Sequence, residues 1–207
     1  MRYLKTEAIV IKRRNYNEAD RMLTVFTRDL GKLQIKAKGV RRITSRRSSH
    51  IELLNHSRIS LYKAHTIPVL TEIETLHGFD NIKNDLYKVG FAYHICELID
   101  GLCPENQENS AVFDLLCSTL HSLSSCHSEH VSESRTTLYR TSGNPSPAKG
   151  GVKDEMLSVI HGFEVELLTL LGYWNNTQTI GNISTHSFIE NILERRLRSK
   201  KIFAKMN

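Results

Sequence analysis

The chain has 207 residues, 40% hydrophobic and 24% charged, with a mean hydropathy of −0.33. That suffices for one large domain or two modest ones with their own cores, and it excludes a giant multidomain machine or a disordered chain. No apolar run approaches the roughly eighteen residues of a membrane span, and the short apolar stretch 8–11 before Lys12-Arg13-Arg14 lacks the features of a secretory signal, so a cytoplasmic location is expected.

The formal charge of +6 is strongly segregated. Residues 1–80 carry 16 basic and 8 acidic side chains, net +8; residues 81–194 carry 6 and 14, net −8; residues 195–207 carry 6 and none, net +6. A surface of one sign attracts a polyanion from a distance, so the N-terminal part points to such a partner.

In chain order, β-rich runs fall at residues 7–12, 21–27, 32–38, 56–62 and 69–76, with a glycine turn at Leu30-Gly31 and a longer loop after the third run. Five short strands so spaced predict a small Greek-key barrel of the OB type, with an SH3-like barrel as the look-alike. Along the third run Leu33, Ile35 and Ala37 face one way, and Lys32, Gln34, Lys36 and Lys38 the other. Residues 41–49 hold four arginines without an apolar pattern and read as a mobile loop. Lys32, Lys36, Lys38, Arg41, Arg42, Arg46 and Arg47 thus form a basic strand face continued by a basic loop, with no Asp or Glu within residues 30–51. Glu18 and Asp20 precede the second strand; without a third ligand, and beside Arg21, loop capping is the economical role for them.

From Asp80 the period becomes helical. Ile82, Leu86, Val89, Tyr93 and Cys96 form one stripe and Phe91, Ile95, Leu98 and Leu102 another, which predicts a helix buried on two sides. Val112, Leu116, Leu120 and Leu123 mark a second helix. Met156, Ile160, Phe163, Leu167 and Leu170 mark a third, which Gly172 would end. A last helix is expected to start at Ser187, with Glu190 completing a capping box, and to run through Leu197 into Arg195, Arg196, Arg198, Lys200 and Lys201; cations at a helix C-terminus explain part of that cluster. Residues 124–153, rich in Ser, His, Thr, Pro and Gly, predict a disordered insertion. The sequence therefore reads as α+β, with a five-stranded OB-type barrel at 1–79 and an all-helical domain at 80–207.

Cys96, Cys103, Cys117 and Cys126 form no C-x-x-C pair and are expected to be reduced, mostly buried thiols. Cys126-His127 with His130 falls short of the four ligands of a zinc site, and the ten histidines are scattered along the chain. Phosphate-binding loops, dinucleotide fingerprints, H-E-x-x-H and nucleophile elbows are absent. No catalytic residue, metal, cofactor or small-molecule substrate is expected.

The succession Thr6-Glu7-Ala8-Ile9-Val10-Ile11, Asn17-Glu18-Ala19-Asp20-Arg21, Thr24-Val25-Phe26-Thr27, Leu30-Gly31-Lys32 and Ala37-Lys38-Gly39-Val40-Arg41-Arg42, then Ser45-Arg46, resembles the bacterial recombination mediators of the RecO family. Phe163-Glu164, Leu167-Leu168, Leu171-Gly172-Tyr173, Phe188-Ile189-Glu190 and Arg195-Arg196-Leu197 agree more loosely. The resemblance implies an OB domain and a helical domain in a nucleoid-associated protein of DNA repair that binds single- and double-stranded DNA. It implies annealing of strands coated by single-strand-binding protein and, with RecR, help in loading RecA. Many members carry a zinc ribbon with paired cysteines soon after the Leu-Leu-Gly-Tyr segment; in this sequence the last cysteine is Cys126.

Aromatic side chains are sparse in the basic half, so a grip on phosphates that leaves bases free to pair suits the expected annealing. The acidic tail of single-strand-binding protein, with its apolar end, would need a local basic patch. Arg195, Arg196, Arg198, Lys200 and Lys201 supply one, with Leu197 or Ile202 to meet the apolar end. An RNA-binding or ribosome-associated OB protein is the main rival reading, and a metal-dependent nuclease using Glu18 and Asp20 the third.

Overall fold

A computed structural model of the chain describes residues 3–64, 66–126, 152–174 and 185–199. Five strands, β1 (Tyr3–Tyr16), β2 (Asp20–Thr27), β3 (Gly31–Ala37), β4 (His56–Tyr62) and β5 (Val69–His77), close on themselves in the order β1-β2-β3-β5-β4. All neighbours are antiparallel except β3 and β5, which meet in parallel at Lys36 and Val69. The expected OB-type barrel followed by helices is what the chain forms. β1 is much longer than its apolar pattern suggested, because its polar outer residues pair with β2 on one side and β4 on the other; backbone pairing needs no hydrophobic side chain.

Alternation sorts the strand residues between two cores. Ala8, Val10, Leu23, Val25, Leu33, Ile35, Ala37, Ile59, Leu61 and Leu70 fill the barrel. Ile9, Ile11 and Phe26 point out of it, into a larger core shared with the helices. β1 is therefore buried on both faces from Ala8 to Ile11, which explains its unbroken apolar run. A register shift between Val10 and Lys12 lets the loop before β4 dock there, with Leu54 N–H donating to Val10 C=O at 2.8 Å.

The helices are α1 (Asp80–Lys83), α2 (Leu86–Leu102), α3 (Ser110–Ser125), α4 (Val152–Leu170) and α5 (Thr185–Leu193). Asp85 caps α2 by accepting from Tyr87 and Lys88 N–H, and Asn109 caps α3 by accepting from Val112 N–H. Of the two stripes expected on α2, Phe91, Ile95, Leu98 and Leu102 are buried, while Leu86 and Tyr93 stay exposed. The buried Lys88 donates from Nζ to the carbonyls of Ser124 and Cys126, capping the end of α3 with a cation. Gly172, at φ +77°, ends α4 as anticipated. The ends of the 124–153 stretch are helical; its residues 127–151 lie outside the described residues.

The last helix departs from expectation. α5 starts at Thr185, stops at Leu193, and Glu194 at φ 51° turns the chain away. The arginines that follow lie beyond the helix, so the macrodipole does not account for them. Glu190 Oε1 accepts from Leu197 N–H at 3.0 Å, holding the segment that turns back.

Candidate nucleic-acid interface

β3 presents its polar face to two environments. At its start, Gly31 (φ +65°) passes so close to the 103–109 linker that a methyl group there would lie 1.8 Å from the carbonyl oxygen of Gln107. Lys32 is consequently buried: its Nζ donates to the Asp100 carbonyl in the last turn of α2 at 2.5 Å and sits 3.9 Å from the Asp100 carboxylate. This is a cation satisfying a helix C-terminus, and it corrects the expectation that Lys32 lies on an open basic face. Gln34 likewise bonds Glu105 at 2.7 Å.

Beyond the linker the face opens. Lys36 is half-buried, paired with Asp20 at 3.1 Å, and lies over the Tyr16 ring at 4.7 Å. The Asp20 carboxylate also accepts from Gly39 N–H at 2.8 Å. That hydrogen bond foremost, against the opposing effect of burial, with Lys36 adding to it, holds the Asp20 carboxyl below its usual value. Asp20 is thus the loop cap anticipated for it. Glu18 is exposed, and no group of three potential metal ligands among the described residues contains either.

The 41–49 loop is a run of turns pinned at its centre. The Arg47 guanidinium donates to the carbonyls of Lys38, Leu70 and Thr71 at 2.9, 3.1 and 3.3 Å, tying β3 to β5 across the seam where they barely pair. Arg47 is thereby spent on structure. Lys38, Arg41, Arg42 and Arg46 are exposed; Arg41 donates to Asn17 C=O at 3.0 Å. Lys38, Arg42, Arg46 and Arg47 line a surface concavity of about 560 Å³ with Asp20, Gly39, Thr44 and Ser45. Its lining contains no aromatic ring. Of the seven predicted residues, four form an outward cationic rim, two brace the rim, and Lys32 lies elsewhere.

A second concavity of about 460 Å³ lies between the barrel and the helices. Arg195 and Arg198 border it with Lys12 and Arg13, and Ile11, Leu53 and Cys96 supply apolar lining. The C-terminal segment is held there by Glu97, whose carboxylate accepts from Arg198 and Ser199 N–H, each at 2.9 Å. Burial pushes the Glu97 carboxyl up, but these N–H groups outweigh it and leave it below the usual range. Leu197 is buried, so it cannot meet an incoming apolar group, and Arg196 is exposed. Lys200, Lys201 and Ile202 lie outside the described residues. Half-buried Leu53, too far away in sequence to be paired with this cluster, offers apolar surface instead.

One further cluster had no sequence signal. His94 on α2, Glu164 on α4 and His186 on α5 converge, with His94 Nε2 2.7 Å and His186 Nε2 3.6 Å from Glu164 Oε1. Burial raises the Glu164 carboxyl, yet hydrogen bonds from His94 and Thr185 and the nearby His186 outweigh it and hold it below the ordinary value.

Comparison with known proteins points one way. The family description "Recombination protein O N terminal" matches residues 1–79 and "Recombination protein O C terminal" residues 83–138, well over half of the chain between them. A DNA repair protein RecO from Dehalococcoides mccartyi is 43% identical over 119 residues, 58% of this chain and 47% of that protein. One from Roseiflexus sp. is 38% identical over 122 residues, 59% of this chain and 43% of that protein. Another from Acetivibrio thermocellus is 31% identical over 173 residues, 84% and 59% of the two chains. The chain spans about half the length of the curated relatives it matches.

Proposed function

The chain belongs to the RecO family, and from that premise we propose that it is a DNA-binding recombination mediator of DNA repair. It binds single- and double-stranded DNA through the barrel, residues 1–79, and anneals complementary strands. With RecR it helps load RecA on strands coated by single-strand-binding protein. In this reading it is a binding protein and not an enzyme.

The carrying observation is the set of exposed cations Lys38, Arg41, Arg42 and Arg46, of which Lys38, Arg42 and Arg46 line a concavity with no aromatic ring. Cations of this kind neutralise phosphates without occupying base faces, so two strands held side by side lose part of their repulsion and keep their bases available. Asp20 does not cancel the rim, since its charge is engaged by Lys36 and Gly39. The second concavity suits the tail of single-strand-binding protein: Arg195 and Arg198 face its acidic residues and Leu53 its apolar end, while Lys12 and Arg13 are already paired with Asp100 and Glu52.

The test is annealing of fluorescently labelled complementary strands, bare and coated with the cognate single-strand-binding protein. The chain should accelerate pairing in both states, and Arg195→Glu with Arg198→Glu should abolish the effect on coated strands alone. No acceleration of bare strands, or preference for RNA over matched DNA in competition, overturns the reading.

A further inference from the structure

We propose that His94, Glu164 and His186, with a water as the fourth ligand, form a binding site for a divalent zinc ion that ties α2, α4 and α5 together. The three donor atoms come from three different helices and all lie within 4.8 Å of one another. In a tetrahedral zinc site with bonds of about 2.0–2.1 Å, neighbouring ligand atoms stand about 3.3 Å apart. The observed 2.7 Å from His94 Nε2 to Glu164 Oε1 and 3.6 Å from His186 Nε2 to the same oxygen bracket that spacing. Two imidazoles and one carboxylate are the nitrogen and oxygen donors that a borderline dication takes.

The outer contacts are those of a prepared site. His94 Nδ1 lies 2.7 Å from Ser199 Oγ, fixing the ring so that Nε2 faces the carboxylate. Glu164 Oε2 accepts from Thr185 Oγ1 at 2.7 Å, leaving Oε1 toward the histidines. Ligand atoms whose far sides are already held in this way orient with little loss of entropy on binding. His94 and Glu164 are buried, whereas the His186 side chain is 41% exposed, so the cluster meets solvent on that side, from which the ion and its water ligand would come. Binding replaces the proton shared between His94 Nε2 and Glu164 Oε1 by the metal, so that proton leaves to solvent. The thiols compete poorly, because burial pushes Cys96 up to about 12 and Cys103 and Cys117 up to about 11.

The experiment uses the full chain, stripped with a chelator and titrated with zinc against a competing dye, alongside His186→Asn, whose partly exposed position spares the fold. One zinc per chain is expected, with a thermal midpoint raised by about 5–10 °C at a hundredfold excess over Kd, and the variant should lose at least tenfold in affinity. Cobalt in place of zinc should show no thiolate charge-transfer band. Less than one zinc per chain at micromolar metal, equal affinity in His186→Asn, or a thiolate band overturns the proposal. DNA annealing is measured on the same samples, so loss of the metal site and loss of the mediator reading are scored separately.

Discussion

Replacing Arg42 and Arg46 with glutamine tests the cationic rim most directly. Both side chains are exposed on the same concavity and neither braces the loop, which Arg47 holds. Four outward cations, Lys38, Arg41, Arg42 and Arg46, imply about four phosphate contacts on a single strand. At about −0.7 per phosphate, log affinity should then fall against log salt with a slope near −2.8. Raising salt from 50 to 200 mM should weaken binding about 50-fold. With two contacts removed the slope should become about −1.4 and the same change of salt cost only about 7-fold. Fluorescence anisotropy of a labelled oligonucleotide at several salt concentrations measures both slopes. Lys32→Met serves as the internal control: because Lys32 is buried under the end of α2, it should lower the thermal midpoint and leave the slope alone. A slope near −4.9, as seven contacts would give, or one unchanged in the double variant, refutes the assignment.

Three predictions concern the scaffold that carries the rim. Gly31→Ala should destabilise the fold by more than about 2 kcal/mol in urea titration, since the added methyl meets the Gln107 carbonyl and the backbone is left-handed there; an unchanged midpoint would show that the linker does not press on β3. Phe113→Ala should cost about 3–5 kcal/mol, because this fully buried ring stacks on Phe26 at 6.5 Å and joins the helices to the barrel. Stability should fall with acid in a manner traceable to His56: burial lowers its pKa, outweighing the opposing pull of Glu7, and His77 and His121 add to the lowering. A lowered folded pKa means that its contribution is complete above the unfolded value of about 6.5 and is lost as pH falls toward the folded value. His56→Phe should therefore flatten denaturant midpoints measured from pH 8 down to pH 5, and an identical acid slope in the variant would exclude His56 as the source.

Alternating residues in β2 and β3, the second stripe of α2 and the Gly172 stop were legible because each is written in consecutive residues. Strand and helix periods are local, and burial of the matching face follows wherever the element packs. The motif succession over residues 6–46 was legible for the same reason. The sequence also determined that cations crowd residues 30–51, since no acid lies among them.

Tertiary packing decided which of those cations remain outside. Lys32 and Lys36 occupy equivalent positions on the same strand face, yet the end of α2 covers the first, and only the hairpin and loop reach the second. The sequence places Asp100 68 residues from Lys32, so no local pattern announces their meeting. The same holds for His94 and Glu164, 70 residues apart, and for the arginines after α5, which one left-handed residue turns back onto α2. Local periodicity specifies an element and its buried face; which distant side chain comes to lie opposite is fixed only when the elements pack, because that depends on helix length, linker path and crossing geometry together.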